Sequence, residues 1–335
     1  MGEPEPDYQA WAAAGMGALQ HWYKRRAGLW RTTGWWNAAN ALTAVIAYTR
    51  VTGDQAFAGV IETTFARAPR RNADFVNSYY DDNGWWGLAW VAAYDLTGDL
   101  RYLDAARVIF ARTAAGWDDT GGGVWWSQAR TYKNAIPNEL FLTLAARLHQ
   151  RAPDAAGTYL AWAEKTWEWF RASGMIGPGG LVNDGLTADG QNNGRTTWTY
   201  NQGVILGGLA ALHEITGDRA YLEQGESIAD AALSQLAGPE GILTEPNEAA
   251  TKPGDQDRPQ FKGIFVRYLH DFCQVSERPA YRAFILRNAR SIWANDRNGA
   301  SEFGLRWGGP FDRADAGRQS SALDALNAAA ALAAS

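Results

Sequence analysis

The heptapeptide TGDLRYL, residues 97–103, decides the fold, because the chain repeats it. It returns as TGDRAYL at 216–222 and as TGDQAF at 52–57. Looser copies are APDAAGTYL (Ala152–Leu160) and SERPAYR (Ser276–Arg282). Each copy lies between two runs whose apolar residues recur at helical spacing. The glycine (Gly53, Gly98 or Gly217) can take the left-handed conformation that stops a helix, and the aspartate after it can cap the next. Each copy therefore marks the short turn of a helical hairpin.

Worked outward from these turns, the spacing predicts helices near 7–27, 36–51, 54–68, 83–96, 99–114, 134–150, 154–172, 200–215, 218–236, 260–275, 278–294 and 320–333. Twelve helices in alternating pairs, with no strand pattern, predict an all-α fold. The expected architecture is an (α/α)6 barrel of six helical hairpins, one catalytic domain over residues 1–335. The helix before each TGD is rich in Ala, Gly and aromatics, as a crowded inner ring needs (NAANALTAVIAY, NQGVILGGLAAL). The helix after it carries more charge, as an amphipathic outer ring needs (YLDAARVIFAR). An open solenoid is the alternative topology. The first and last helices, each without a hairpin partner, would pair to close the ring, which favours the barrel.

Composition narrows the function. Apolar residues make up 46% and charged residues 20% of the chain, the balance of a globular protein with an ample core. A net charge of −5 with no basic run argues against nucleic acid as a partner. No apolar run approaches the ~18 residues that span a membrane. The lone Cys273 excludes an internal disulfide and a multi-cysteine metal site. No ligand cluster with metal spacing is present either, so no metal or other cofactor is expected. The segment MGEPEPDYQAW has neither a basic nor an apolar leader region. A cytoplasmic monomer is the expectation as written; a secreted one follows if Met1 belongs to a trimmed chain.

The repeat also locates the polar motifs. Asn37, Asp82 and Asn201 each stand sixteen residues before a turn glycine, so they are equivalent positions at the start of inner helices. Trp36, Asp81 and Tyr200 are equivalent one place earlier. The other inner helices open with Lys133-Asn134, with Phe261-Lys262-Gly263 and with Gln319-Ser320-Ser321. These clusters converge on one mouth of the barrel, where helix N-termini offer free N–H groups and positive potential. Long segments rich in Gly, Asn and Asp open there too: 69–82, 115–133, 173–199 and 237–259.

Asp81 and Asp82 lie within YYDDNGWWGLAW, residues 79–90, flanked by large aromatics. Adjacent carboxylates repel, and one pKa of such a pair tends to rise. A second pair, Asp118-Asp119, precedes the Gly-rich run GGGVWW and reads best as turn carboxylates. The chain holds 17 Trp, with doublets at Trp35-Trp36, Trp85-Trp86 and Trp125-Trp126. Neighbours on a helix point about 100° apart, so one member of a doublet is free to line a cleft. Trp85, Trp125 and Trp126 are candidate sugar-stacking surfaces. Asp257 is either an N-cap residue or a contact to a ligand hydroxyl. His149, His213 and His270 fall at the opposite ends of inner helices and His21 in the first, outer helix, which speaks against a histidine-based isomerase. No HExxH, GxSxG or phosphate loop is present.

Two carboxylates in an aromatic cleft can cleave a glycosidic bond, one attacking the anomeric carbon while the other protonates the leaving oxygen. Retention of configuration needs the two carboxyls about 5–5.5 Å apart, which neighbours at a helix start can meet. Their repulsion and burial would keep one protonated at neutral pH.

The run YYDDNGWWGLAW, followed in order by GGGVWW, KNAI, TYNQG, DxxxFKGIFVRYL and QSSALDAL, resembles glycoside hydrolase family 76, the endo-α-1,6-mannanases and related fungal cell-wall transglycosidases. The resemblance spans nearly the whole chain. It implies an (α/α)6 barrel and a retaining mechanism on α-1,6-linked mannan or manno-oligosaccharides. It further implies Asp81 as nucleophile and Asp82 as acid/base. It places the Trp125 loop, Lys133, Asn134, Asn201, Gln202 and Asp257 along the cleft. The register adds Asn37, Trp85, Trp126, Tyr200, Phe261 and Lys262 as substrate-binding candidates. The competing expectations are a transglycosidase with the same site and a non-catalytic carbohydrate-binding protein; the intact pair argues against the latter.

Overall fold

The computed structural model describes residues 6–152 and 157–334. Among them are the helices α1 (Tyr8–Leu19), α2 (Trp35–Thr52), α3 (Gly59–Arg67), α4 (Tyr80–Thr97), α5 (Leu100–Ala114) and α6 (Ala135–Arg151). The chain continues through α7 (Thr158–Ala172), α8 (Thr199–Thr216), α9 (Arg219–Gln235), α10 (Arg258–Phe272), α11 (Pro279–Asn295) and α12 (Ala316–Ala334). The even-numbered helices pack in sequence, and α12 returns to α2, which closes an inner ring. Odd-numbered helices cover it from outside, with α1 against α12. This is the (α/α)6 barrel that the repeat predicts.

The TGD turns work alike in all three copies. Gly53, Gly98 and Gly217 have φ of 72°, 71° and 71°, the left-handed region, and their N–H groups close the helix before them. Thr52, Thr97 and Thr216 donate their hydroxyls to the carbonyl four residues back and accept from the N–H of the following aspartate. Asp99 and Asp218 then cap α5 and α9 by accepting from Arg101 N and Ala220 N. Asp54 makes the same contact, to Ala56 N, and also accepts from the Tyr48 hydroxyl, but a turn intervenes, so α3 starts at Gly59 rather than 54.

Two other boundaries differ from expectation, and a third is not described. The predicted first helix, 7–27, ends at Leu19. A 3-10 turn (Gln20–Trp22) follows, then a small antiparallel hairpin of β1 (Tyr23–Lys24) and β2 (Leu29–Trp30). The run Lys24-Arg25-Arg26 offers no apolar face, and Gly28 at φ 68° turns the hairpin over α3. Helix α4 begins at Tyr80, so Asp81 and Asp82 lie inside its first turn rather than before it. The predicted start of the seventh helix at 154 lies outside the described residues.

Small residues set the tightness of the inner ring. A Cβ on Gly203 would sit 2.5 Å from Phe265 Cα, and one on Gly208 would sit 2.0 Å from Leu142 Cδ2. Helix α8 is thus pressed directly on α10 and α6, and side chains of any size would part them. At the C-terminal ends of the inner helices, Arg151 pairs with Asp95, Arg147 with Asp271 and Arg267 with Asp324. These pairs join α6 to α4, α6 to α10 and α10 to α12. They border a cavity of about 210 Å³ at that end.

A Cβ on Gly98 would meet open space, so Gly98→Ala tests backbone strain alone. The left-handed conformation should cost about 1 kcal/mol, read as a lower urea midpoint with an unchanged slope. An unchanged midpoint would contradict the role given to the TGD turn.

Candidate active site

Four loops at the N-terminal mouth are built to one plan. Each leaves an outer helix through a tight hairpin closed by a single bridge: Trp117 with Val124, Ile176 with Val182, Ala237 with Leu243, and Arg297 with Phe303. The second residue of each bridge is then held by a side-chain amide. Asn138 accepts from Val124 N at 2.6 Å and donates to its carbonyl at 3.0 Å. Gln202 does the same with Val182, at 2.7 and 2.8 Å. Gln319 accepts from Phe303 N, and Asn288 of α11 from Leu243 N. Asn138, Gln202 and Gln319 are each the fourth residue of their inner helix. In α4 the fourth residue is Asn83, which grips Asn77 in the same way. The amide supplies the paired bonds that a neighbouring strand would supply, so buried loop backbone is satisfied.

The mouth encloses a cavity of about 390 Å³ lined by Trp36, Tyr79, Asp81, Asp82, Trp85, Trp126, Tyr132, Asn134, Asp184, Tyr200, Asp257 and Phe261. Its floor is aromatic. Trp36 stacks on Trp85 at 5.5 Å, and Tyr200 on Phe261 at 4.0 Å with 5° between their planes. Trp85 also borders the cavity at the other end of the barrel, so its ring separates the two. Tyr79 and Trp126 stand at the rim, with 40% and 36% of their surfaces exposed to solvent.

Asp81 and Asp82 project into the cavity from the first turn of α4. Trp126 Nε1 donates to Asp81 Oδ2 at 2.8 Å, and Asn77 Nδ2 to Asp82 Oδ2 at 2.6 Å. Burial raises both carboxyls above the usual carboxylate range, and the charge of Asp82 raises Asp81 further. Asp257 adds to the push on Asp82, while Asn77 and Arg71 oppose it. Two buried carboxyls under such repulsion retain a shared proton near neutral pH. Asp257 is also raised by burial; it accepts from Trp36 Nε1 at 3.0 Å. The N-terminus of α10 is capped instead by Asp255, which accepts from Arg258 N.

Of the residues singled out from sequence, Asp81, Asp82, Trp85, Trp126, Asn134, Tyr200, Asp257 and Phe261 meet in this cavity. Six others stand behind its wall. Gln202 is an amide clamp on Val182, and buried Asn37 bonds Gln256 O, Gln260 and Asp257. Lys262 is buried, donating to Glu248 and to Leu305 O. Lys133 pairs with Asp118, and its ammonium covers the Trp125 ring at 4.6 Å, so that face is not offered to a sugar. Asn201 is fully buried with both polar side-chain atoms unbonded among the described residues. Asp118 caps its own turn through Thr120 N, as a turn carboxylate should.

Sequence reasoning missed Tyr132 and Asp184 as lining residues. Asp184 is brought in by a bridge between Asn134 and Gly185 and by Ala135 N donating to the Asp184 carbonyl. The Tyr132 hydroxyl donates to Asp184 Oδ2 at 2.5 Å. No periodicity marks a residue placed by loop-to-loop pairing. Among the described residues, no group of three or more His, Cys, Asp or Glu is arranged to hold a metal ion.

Fold and site together define an (α/α)6 barrel with an acidic, aromatic-floored cleft at its N-terminal mouth. The sequence model of glycosyl hydrolase family 76 matches residues 9–335, and the chain belongs to that family. It is 27% identical over 321 residues to mannan endo-1,6-alpha-mannosidase DCW1 of Saccharomyces cerevisiae, covering 87% of this chain and 71% of that one. A Schizosaccharomyces pombe relative is 28% identical over 260 residues, which are 71% of this chain but only 58% of the relative. The structure resembles the alpha-1,6-mannanase GH76A of Salegentibacter sp. HEL1_6, with a TM-score of 0.87 and 27% identity over 97% of this chain and all of that one. An inactive variant of that mannanase, with two consecutive aspartates changed to alanine and alpha-1,6-mannotetrose bound, aligns with a TM-score of 0.88 at 26% identity, over 98% of this chain and all of that one.

Gln202→Leu separates support from ligand contact. It strands the Val182 N–H and carbonyl in a buried site, so urea denaturation should show a loss of about 2 kcal/mol. An unchanged midpoint would contradict the clamp.

Proposed function

We propose that the protein is a retaining glycoside hydrolase that cleaves α-1,6-linked mannan or manno-oligosaccharides. The observation that carries this is the adjacent pair Asp81–Asp82, both half-buried above a floor of stacked aromatic rings. Sugar rings present apolar C–H faces to such a floor and hydroxyls to the surrounding carboxylates and amides. Family membership and the named activity of the relatives support the substrate class. The inactive mannanase variant that lacks two consecutive aspartates supports the choice of pair.

In this reading, Asp81 attacks the anomeric carbon as the glycosidic C–O bond breaks, and Asp82 gives its proton to the departing oxygen. Asp82, now charged, takes a proton from water, which attacks the anomeric carbon and releases Asp81. Burial and repulsion raise both carboxyls, so the pair holds one proton between them. The acid role of Asp82 rests on the family resemblance. It requires the shared proton to lie on Asp82 when a glycosidic oxygen approaches.

Linear α-1,6-mannan should be shortened by the wild-type protein, and both Asp81→Asn and Asp82→Asn should lose at least about a thousandfold in rate while folding normally. With an aryl α-mannoside carrying a good leaving group, Asp82→Asn should still form the intermediate, and azide should rescue it as the α-mannosyl azide. Asp81→Asn should give only the β-azide, by a single inversion. The reverse pattern would exchange the two roles. Loss of turnover in Asp118→Asn with the Asp81 and Asp82 variants active would show that the wrong pair was chosen.

A further inference from the structure

Trp126 touches the reacting carboxyls through a polar atom. Its indole N–H makes the one side-chain hydrogen bond that the Asp81 carboxyl receives among the described residues. Asp81 Oδ1 is buried without a hydrogen-bond partner. The other groups that face Asp81 bear no positive charge. Asp82 shares its helix, Asp257 comes from the start of α10, Asp184 and Tyr132 from the paired loops, and Tyr200 from α8. Arg71, from the segment before α4, acts on Asp82. Burial and Asp82 both push Asp81 towards its neutral form, and the Trp126 bond is the side-chain contact that favours the charged form.

The indole is fixed to the same helix turn that it serves. Tyr80 N, one residue before Asp81, donates to the Trp126 carbonyl at 2.9 Å, and Trp126 N donates to the Tyr132 carbonyl at 2.8 Å. Farther back, Trp169 lies against Gly122 and Gly123, where a Cβ would come within 2.3 Å of its ring atoms, and its Nε1 donates to Gly121 O. The loop can therefore shift little without also moving the start of α4.

We propose that Trp126 is a positioning residue for the proposed reaction, acting through its indole N–H to orient the Asp81 carboxyl and hold it charged. The assignment rests on the reading of Asp81 as nucleophile. In the first step the N–H keeps the carboxylate available to the anomeric carbon. In the second, as water attacks and the bond from the anomeric carbon to Asp81 breaks, the electron pair returns to the carboxylate and the N–H meets the returning charge.

The test replaces Trp126 with benzothienylalanine, which keeps the bicyclic ring but puts sulfur in place of the N–H, and uses Trp126→Phe as a second variant. On linear α-1,6-mannan, kcat should fall about tenfold or more with KM changed less than about threefold. The acid limb of kcat/KM should move up by about one pH unit, because the ionised nucleophile loses its donor. A ring that only stacks on sugar would raise KM in Trp126→Phe and leave kcat and the acid limb in place, and that result overturns the proposal. A readout independent of turnover is the ¹³C NMR titration of the Asp81 carboxyl, which should shift upward by about one unit in both variants. An unshifted titration overturns the proposal even where mannan is cleaved. A wild-type protein inert on mannan would defeat the functional reading, while the titration would still decide the role of the N–H.

Discussion

A side-chain amide bonded in both directions to loop backbone is the contact on which the mouth of this barrel depends. Inner helices pressed together by Gly203 and Gly208 form a rigid ring, but a ring alone has no site. The site is made by the connections above it, whose buried N–H and C=O groups need partners. Asn83, Asn138 and Gln202 supply them from the first turns of the helices, so helix and loop are positioned as one unit. Trp126 and Asp184 reach the cavity from segments held in this way, and Asn77 is itself gripped by Asn83 while it bonds Asp82.

The cleft then balances opposed electrostatic effects. Helix N-termini favour negative charge at this mouth, which is why four aspartates can gather in one cavity. Burial and mutual repulsion oppose full ionisation of the two neighbours on α4. Both effects favour a pair that keeps a proton at a pH where isolated carboxyls have lost theirs, which is what the proposed acid and nucleophile side by side would require. Single hydrogen bonds from Trp126 and Asn77 separate the environments of the two.

Much of this was legible in the sequence because it follows a helical register. The TGD turns repeat, the turn glycines take left-handed φ, and counting back seventeen residues put Trp36, Asp81 and Tyr200 at one mouth. The register tells height along the barrel but not direction around the helix. Asn37, Asn201, Gln202 and Lys262 are at the right height yet turn into the wall, where their polar groups serve packing and loop support or go unbonded. Lys133 and Trp125 satisfy each other. Asp184 was illegible because a loop-to-loop bridge, not a helix, sets its place.

The central claim is that two adjacent carboxyls on one helix turn perform a double displacement. The most direct measurement is the anomeric configuration of the first reducing ends released from linear α-1,6-mannan, followed by ¹H NMR before mutarotation. The account predicts that the α-anomer appears first and the β-anomer grows in as the sugar equilibrates. A β-anomer formed first would show a single inversion, with water rather than Asp81 attacking the anomeric carbon, and would contradict the account.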